Sequence, residues 1–208
     1  MTIAIIGASA GIGLLTVERA LASGHQVIAL SRDTSPIPDH PALTKVKGSA
    51  TSVADLKGLI IDADAVLVTI GTKKKKGTTL FSDTAQALIT AYAETRSKAP
   101  LLVITGFGTG ESRRYLGLFM KLVIRFFLRD QYTDKTRMEV MLAKGLIRWE
   151  IVQPGILTNG SHTGNYRVQS SLHKGMQVGR ISRADVADFM INQAENPTFL
   201  GQHVAISY

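Results

Sequence analysis

The sequence contains no cysteine. Disulfide cross-links and thiolate chemistry are thereby excluded, and nothing points to an oxidising compartment. Long apolar runs are missing too. The nearest approach, LGLFMKLVIRFFLRD, is interrupted by Lys121, Arg125 and Arg129, short of the ~20 apolar residues that a membrane span needs. The five histidines, His25, His40, His162, His173 and His203, fall at no metal-ligand spacing, so no metal is expected. The lysine run Lys73–Lys76, set between Gly71 and Gly77, lacks the aromatic interleaving of a nucleic-acid platform. No nucleic-acid partner is expected. The opening MTIAIIGAS has no basic leader before its apolar run and reads as a strand, not a signal peptide; the expected location is the cytoplasm.

What is present describes a globular protein. The 208 residues are 45% hydrophobic and 19% charged, enough for one domain, residues 1–208, with its own core. The net charge of +8 favours anionic partners. Apolar runs alternate with helical patterns: TIAIIG, then GIGLLTVERALASG, then QVIALS, a Pro-rich loop, TKVKG, SVADLKGLIID, AVLVTIG, TLFSDTAQALITAYAETRS and LLVITG. A helical region from about Arg113 to Lys144 and the strand WEIVQ follow. Such alternation predicts an α/β Rossmann fold, a doubly wound parallel sheet with right-handed crossovers. From Pro154 onward the texture changes to a loop, a short strand at NYRVQ, a helix capped by Ser182 with Asp185 in its first turn, and a closing strand QHVAIS. Residues 155–208 are therefore read as a small C-terminal α/β extension over the cleft.

The first strand runs into GASAGIG: Gly7, Ala8, Ser9, Ala10, Gly11, Ile12 and Gly13. Glycines at these spacings, between a strand and a helix, permit a tight turn, close backbone approach to a pyrophosphate, and helix–strand packing. The helix start supplies free N–H groups and a positive dipole end. A dinucleotide is expected there. The second strand ends in Ser31, Arg32 and Asp33, where NAD-selective proteins place a ribose-binding carboxylate. A guanidinium instead suits a 2′-phosphate, so NADP(H) is predicted over NAD(H), with Arg32 and Ser31 on the phosphate. The alternative leaves Arg32 in solvent and turns Asp33 toward the ribose. Ligands of such sheets bind outside the carboxyl ends of the strands. That rule adds Ser49 and Ala50, Ile70, Gly71 and Thr72, Thr105, Gly106 and Phe107, and Pro154, Gly155, Ile156 and Leu157. The lysine run at the rim is either a solvated loop or an electrostatic guide for phosphates and anionic substrates.

The stretches IAIIGASAGIG, ALSRD, DADAVLVTIGT, DKTRMEVMLAKGLIRWEIVQPGILT and RISRADVADFMINQ resemble, in order and over almost the whole length, an atypical branch of the short-chain dehydrogenase/reductase superfamily. The similarity is to the NAD(P)H-binding group that contains biliverdin-IXβ/flavin reductase. It implies one domain, monomeric or weakly dimeric, that moves hydride from NADPH to a flavin- or tetrapyrrole-like acceptor. Departures from that pattern are specific. The first turn has Ala10 and Gly11 where the group commonly has GATGxxG. Ser49 follows the third-strand glycine in place of an acid. The serine associated with catalysis after the fifth-strand threonine is Gly106 here.

Many members of the superfamily use Tyr-x-x-x-Lys on a helix, the lysine holding the nicotinamide ribose and the tyrosine supplying a proton. With Lys135 in the lysine's place, residue 131 is Gln and the nearest phenol is Tyr132, about 100° further around the helix. Lys135 is read as a ribose clamp or a solvated lysine, and Tyr132 as a general acid or a packing residue. Tyr132 is not expected to aim where a residue at 131 would. His162 and Tyr166 lie in a loop that either borders the substrate or is plain connection. Lys121, Arg125 and Arg129 form a stripe opposite Leu118, Phe119, Leu122 and Phe126, the pattern of a helix that faces a core or, in a minority of cases, caps an aromatic substrate pocket or touches an anionic membrane surface. The expected function is an NADPH-dependent reductase of a conjugated or anionic small molecule. The alternatives are a redox sensor that binds NADP(H) without turnover, or a cofactor-retaining epimerase or dehydratase.

Overall fold

The computed structural model describes every residue except 75 and 174. Its main sheet has eight strands in the order β3-β2-β1-β4-β5-β6-β10-β8. These are β1 (Thr2–Ile6), β2 (Gln26–Ser31), β3 (Leu43–Lys47), β4 (Ala65–Val68), β5 (Leu101–Ile104), β6 (Trp149–Pro154), β8 (Arg167–Gln169) and β10 (His203–Ser207). All pair in parallel except β8, which runs antiparallel to β10 at the edge. The order reverses between β1 and β4, so the topological switch point lies beside the glycine turn.

Helices cover both faces. On one side α1 (Gly11–Ala22) packs against α6 (Arg183–Glu195); on the other α2 (Val53–Ile60), α3 (Leu80–Thr95) and α5 (Arg129–Lys144) lie side by side. Strand alternation decides which core receives each side chain. Ile3 and Ile5 of β1 enter the core under α1 and α6 with Val17, Phe189 and Met190. Ala4 and Ile6 enter the opposite core with Leu56, Leu88 and Met138. Strands β4 and β5 are buried at every position, which explains their continuous AVLV and LLVI.

The extension after β6 is woven into this frame. Helix α6 completes one face and β10 joins the sheet next to β6, while β7 (Ile156–Thr158) and β9 (Arg180–Ser182) form a separate parallel pair just beyond the carboxyl end of β6. Ser182 caps α6 by accepting from the Asp185 amide at 2.9 Å, as the sequence predicts. The helical region from Arg113 to Lys144 is not continuous. A 3-10 segment, Gly110–Tyr115, ends at Leu116 and Gly117, both extended; α4 (Leu118–Val123) follows, then π-type turns over Ile124–Leu128, then α5. Helical periodicity survives such breaks in register, and the sequence pattern hides them.

Candidate functional site

Strand β1 delivers the glycine turn against its neighbours on both sides. The Gly7 and Ala8 amides donate to the Leu30 carbonyl at 2.9 and 3.2 Å, and Thr69 Oγ1 donates to the Ile6 and Gly7 carbonyls. Helix α1 starts so close that a Cβ on residue 13 would lie 2.1 Å from the Gly7 carbonyl oxygen; only glycine fits. Ala10, at the N-cap, offers no side-chain acceptor, and the first turn of α1 holds no acid. Its leading amides are therefore left for an anion. Residues 7–13 thus form a tight turn that ends in the uncapped start of α1.

At the tip of β2, Ser31 Oγ donates to Ser9 Oγ at 2.7 Å, which ties the turn to β2. Arg32 is exposed and meets no carboxylate among the described residues. Asp33 is turned into its own loop, accepting from the Ser35 amide at 3.0 Å and hydroxyl at 2.7 Å. These bonds from Ser35 hold its carboxyl below the usual range. The guanidinium, not the carboxylate, is the free charged group at this corner. Ser49 donates its amide to Asp55 at 2.8 Å, and Ala50 packs partly against the core.

At the tip of β5 the chain passes through Gly106 with φ of +153°, a conformation that disfavours side chains. Thr105 is fully enclosed: its hydroxyl donates to Glu139 Oε1 at 2.5 Å, while its carbonyl accepts from Lys135 Nζ at 2.5 Å. The Tyr132 hydroxyl stands 3.5 Å, and Lys135 Nζ 3.9 Å, from where a Cβ at residue 106 would be. From its offset position on α5, the long Tyr132 side chain reaches the backbone at Gly106. Gln131, in the position of the superfamily's usual tyrosine, has another task. Its amide donates to the Thr72 and Lys74 carbonyls at 3.2 and 3.0 Å and moors the lysine loop to α5. Lys73, Lys74 and Lys76 of that loop are exposed; Lys75 lies outside the described residues.

Burial lowers the Lys135 pKa to about 8, opposed by the negative charge of Glu139 one turn on. Burial raises the pKa of Tyr132, which keeps the phenol protonated. Glu139 was not anticipated from sequence, although its i+4 spacing from Lys135 was there to be read. It also accepts from Thr109 and Gln153, locking β5, β6 and α5 together behind the site.

Beside Tyr132 opens a cavity of about 850 Å³. Leu116, Leu118, Leu122 and Ile124 line it, and Arg113, Lys121, Arg125, Arg129 and Arg137 ring it. Cations and apolar side chains of α4 thus share one wall instead of facing opposite ways. Past β6, Ile156 is exposed while Leu157 packs on the core, and the Gly155 amide donates to Ile206 O at 3.0 Å. His162 and Tyr166 do not border this cavity. Both are held by Asp188 of α6, at 3.3 and 3.0 Å.

A parallel sheet of this strand order with an uncapped glycine turn at its switch point defines the class of dinucleotide-binding Rossmann proteins. The family model for NAD(P)H-binding proteins matches residues 7–197, and the chain belongs to that family. Reductase pytE of Aspergillus terreus is 25% identical over 257 aligned positions, covering all of this chain and 98% of that protein. Among solved structures, ChuY of Escherichia coli O157:H7, an anaerobillin reductase, superposes with a TM-score of 0.78 at 22% identity, covering 100% of this chain and 97% of that one. A short-chain dehydrogenase/reductase from Veillonella parvula DSM 2008, solved in complex with NADP, gives 0.84 at 16% identity, covering 100% and 94%. No helix among the described residues is long and apolar enough to cross a membrane, and they contain no cluster of potential metal ligands.

Proposed function

We propose that the protein is an NADPH-dependent reductase whose acceptor is a planar, conjugated and anionic small molecule. The observation that carries this reading is the convergence of Tyr132 and Lys135 on the Gly106 position, with Tyr132 also lining the large cavity. Bound NADPH supplies the hydride. The turn of residues 7–13 holds the diphosphate, Arg32 and Ser31 hold the 2′-phosphate, and Lys135 exchanges the Thr105 carbonyl for ribose hydroxyls. The tips at Ser49 and Ala50, at Ile70, Gly71 and Thr72, and at Gly106, Phe107 and residues 154–157 complete the channel. Tyr132, kept neutral by burial, donates a proton to the acceptor as it takes up the hydride, so that acceptor, hydride and proton leave as the reduced product and the phenolate regains its proton from solvent. The cationic ring of the cavity receives the acceptor's anionic groups, and Leu116, Leu118 and Leu122 receive its apolar plane. Among the relatives, the anaerobillin reductase favours an acceptor of this kind.

The test is NADPH oxidation with biliverdin, flavins and quinones, combined with calorimetry of both dinucleotides. Turnover of at least one acceptor is expected, with NADPH bound more tightly than NADH. Arg32→Ala should remove that preference, weakening NADPH by about 10- to 100-fold and leaving NADH unchanged. Absence of heat with either dinucleotide refutes the proposal; tight NADPH binding without turnover turns it into a sensor.

A further inference from the structure

The outer wall of the cavity carries a surface that the reductase reading uses only in part: Phe119, Phe126, Phe127 and Arg114 lie outside the cavity lining. Leu118, Phe119, Leu122, Phe126 and Phe127 all stand in the open, with exposures between 52% and 81%. The inward side of the same segment is already satisfied: Ile124 is buried with Phe107, Leu116 and Met176, and Met120 packs beside them. The outward apolar side chains therefore have no place left in the chain's own core. Between residues 113 and 129 the sequence holds five cations, Arg113, Arg114, Lys121, Arg125 and Arg129, and no acid. All five are exposed, and none forms an ion pair among the described residues.

We infer that residues 113–129 dock on an anionic lipid surface. Large apolar side chains interleaved with unpaired cations on a short raised helix suit the headgroup–acyl boundary, where the rings sink and the cations meet lipid phosphates. The charge argues against a second copy as the occupant. A two-fold dimer would bring the same five cations against each other. The net charge of +8 adds long-range attraction in the same direction. Leu118 and Leu122 belong both to this face and to the cavity lining, so docking sets the cavity mouth against the bilayer.

Co-sedimentation of the full chain with vesicles tests this, comparing phosphatidylcholine alone with an equal mixture of phosphatidylcholine and phosphatidylglycerol. Binding to the mixed vesicles should exceed binding to the neutral ones by about tenfold and fall as salt is added. The Phe119→Ser, Phe126→Ser double variant, at positions outside the cavity lining, should lower binding by at least about tenfold with NADPH affinity unchanged. Should that variant fold poorly, Arg114→Glu alone must still weaken binding to the mixed vesicles. Equal binding to both vesicle types, indifference to the substitutions, or a dimer in sedimentation velocity that the serines abolish would each overturn the inference. Loss of NADPH binding in the parent protein, with vesicle binding intact, would instead strike the reductase reading.

Discussion

At Lys135 two influences oppose each other. Burial favours the neutral amine, and Glu139 favours the ammonium; burial wins and sets the pKa near 8. An ammonium that must donate to ribose hydroxyls is then present below that value and lost above it. For the free enzyme, kcat/KM for NADPH should decline as pH rises through about 8. In Lys135→Met the profile should be flat there and the NADPH KM raised, which steady-state kinetics across pH would check. Tyr132 separates from this by the step it affects. Tyr132→Phe should reduce kcat by about 100-fold for acceptors that need a proton and leave the dinucleotide Kd unchanged. A kcat equal to the parent's would remove Tyr132 from the chemistry and leave it a packing residue.

At the scale of elements, α5 is the organiser. Asp134 is buried and accepts from the Phe81 amide at 2.9 Å, the Ser82 amide at 3.3 Å and the Ser82 hydroxyl at 2.5 Å, capping α3 from a neighbouring helix. Asp130 accepts from the Gly77 amide at 2.8 Å. With Gln131, these side chains tie Thr72, Lys74, Gly77, Phe81 and Ser82 to the same helix that carries Tyr132 and Lys135. Asp134→Ala should cost about 2 kcal/mol, measured by urea unfolding, with faster amide exchange at Phe81 and Ser82. Unchanged exchange at those two amides would show that the cap is not what holds α3. None of this was legible in the sequence, because Asp130, Gln131 and Asp134 look like ordinary polar positions on a surface helix. The glycine turn and the paired strands were legible, since their constraints are local or periodic. The pair β7 and β9 was too short to show a period. The sequence left the covering of the α4 face open, because periodicity reveals that a stripe exists, not whether anything covers it.

For the whole molecule, the buried carboxyl of Glu150 is one group that makes stability vary with pH. It sits inside β6 with no well-formed hydrogen bond to either oxygen. Burial, partly offset by the Phe199 backbone, raises its pKa from 4.5 to about 7. Between those values the folded chain holds a proton that the unfolded chain has lost, so this group makes folding less favourable as pH rises through the window. Glu150→Gln removes the titration. Its Tm should exceed the parent's above about pH 8 and match it near about pH 4, by calorimetry. A constant difference at both ends would trace the effect to packing.

The π-type turns at Ile124–Leu128 have a consequence of a different kind. A wide turn of this sort is equivalent to one residue added within a helix, and each residue rotates what precedes it by about 100°. Tyr132 and Lys135 lie after that turn and the α4 wall of the cavity before it. Loss of a single residue there would leave Tyr132 and Lys135 in phase with the sheet and swing Leu118 and Lys121 to a new azimuth. The fold thereby sets Tyr132 and Lys135 apart from the cavity wall, with one notch of helical phase as the dial between them.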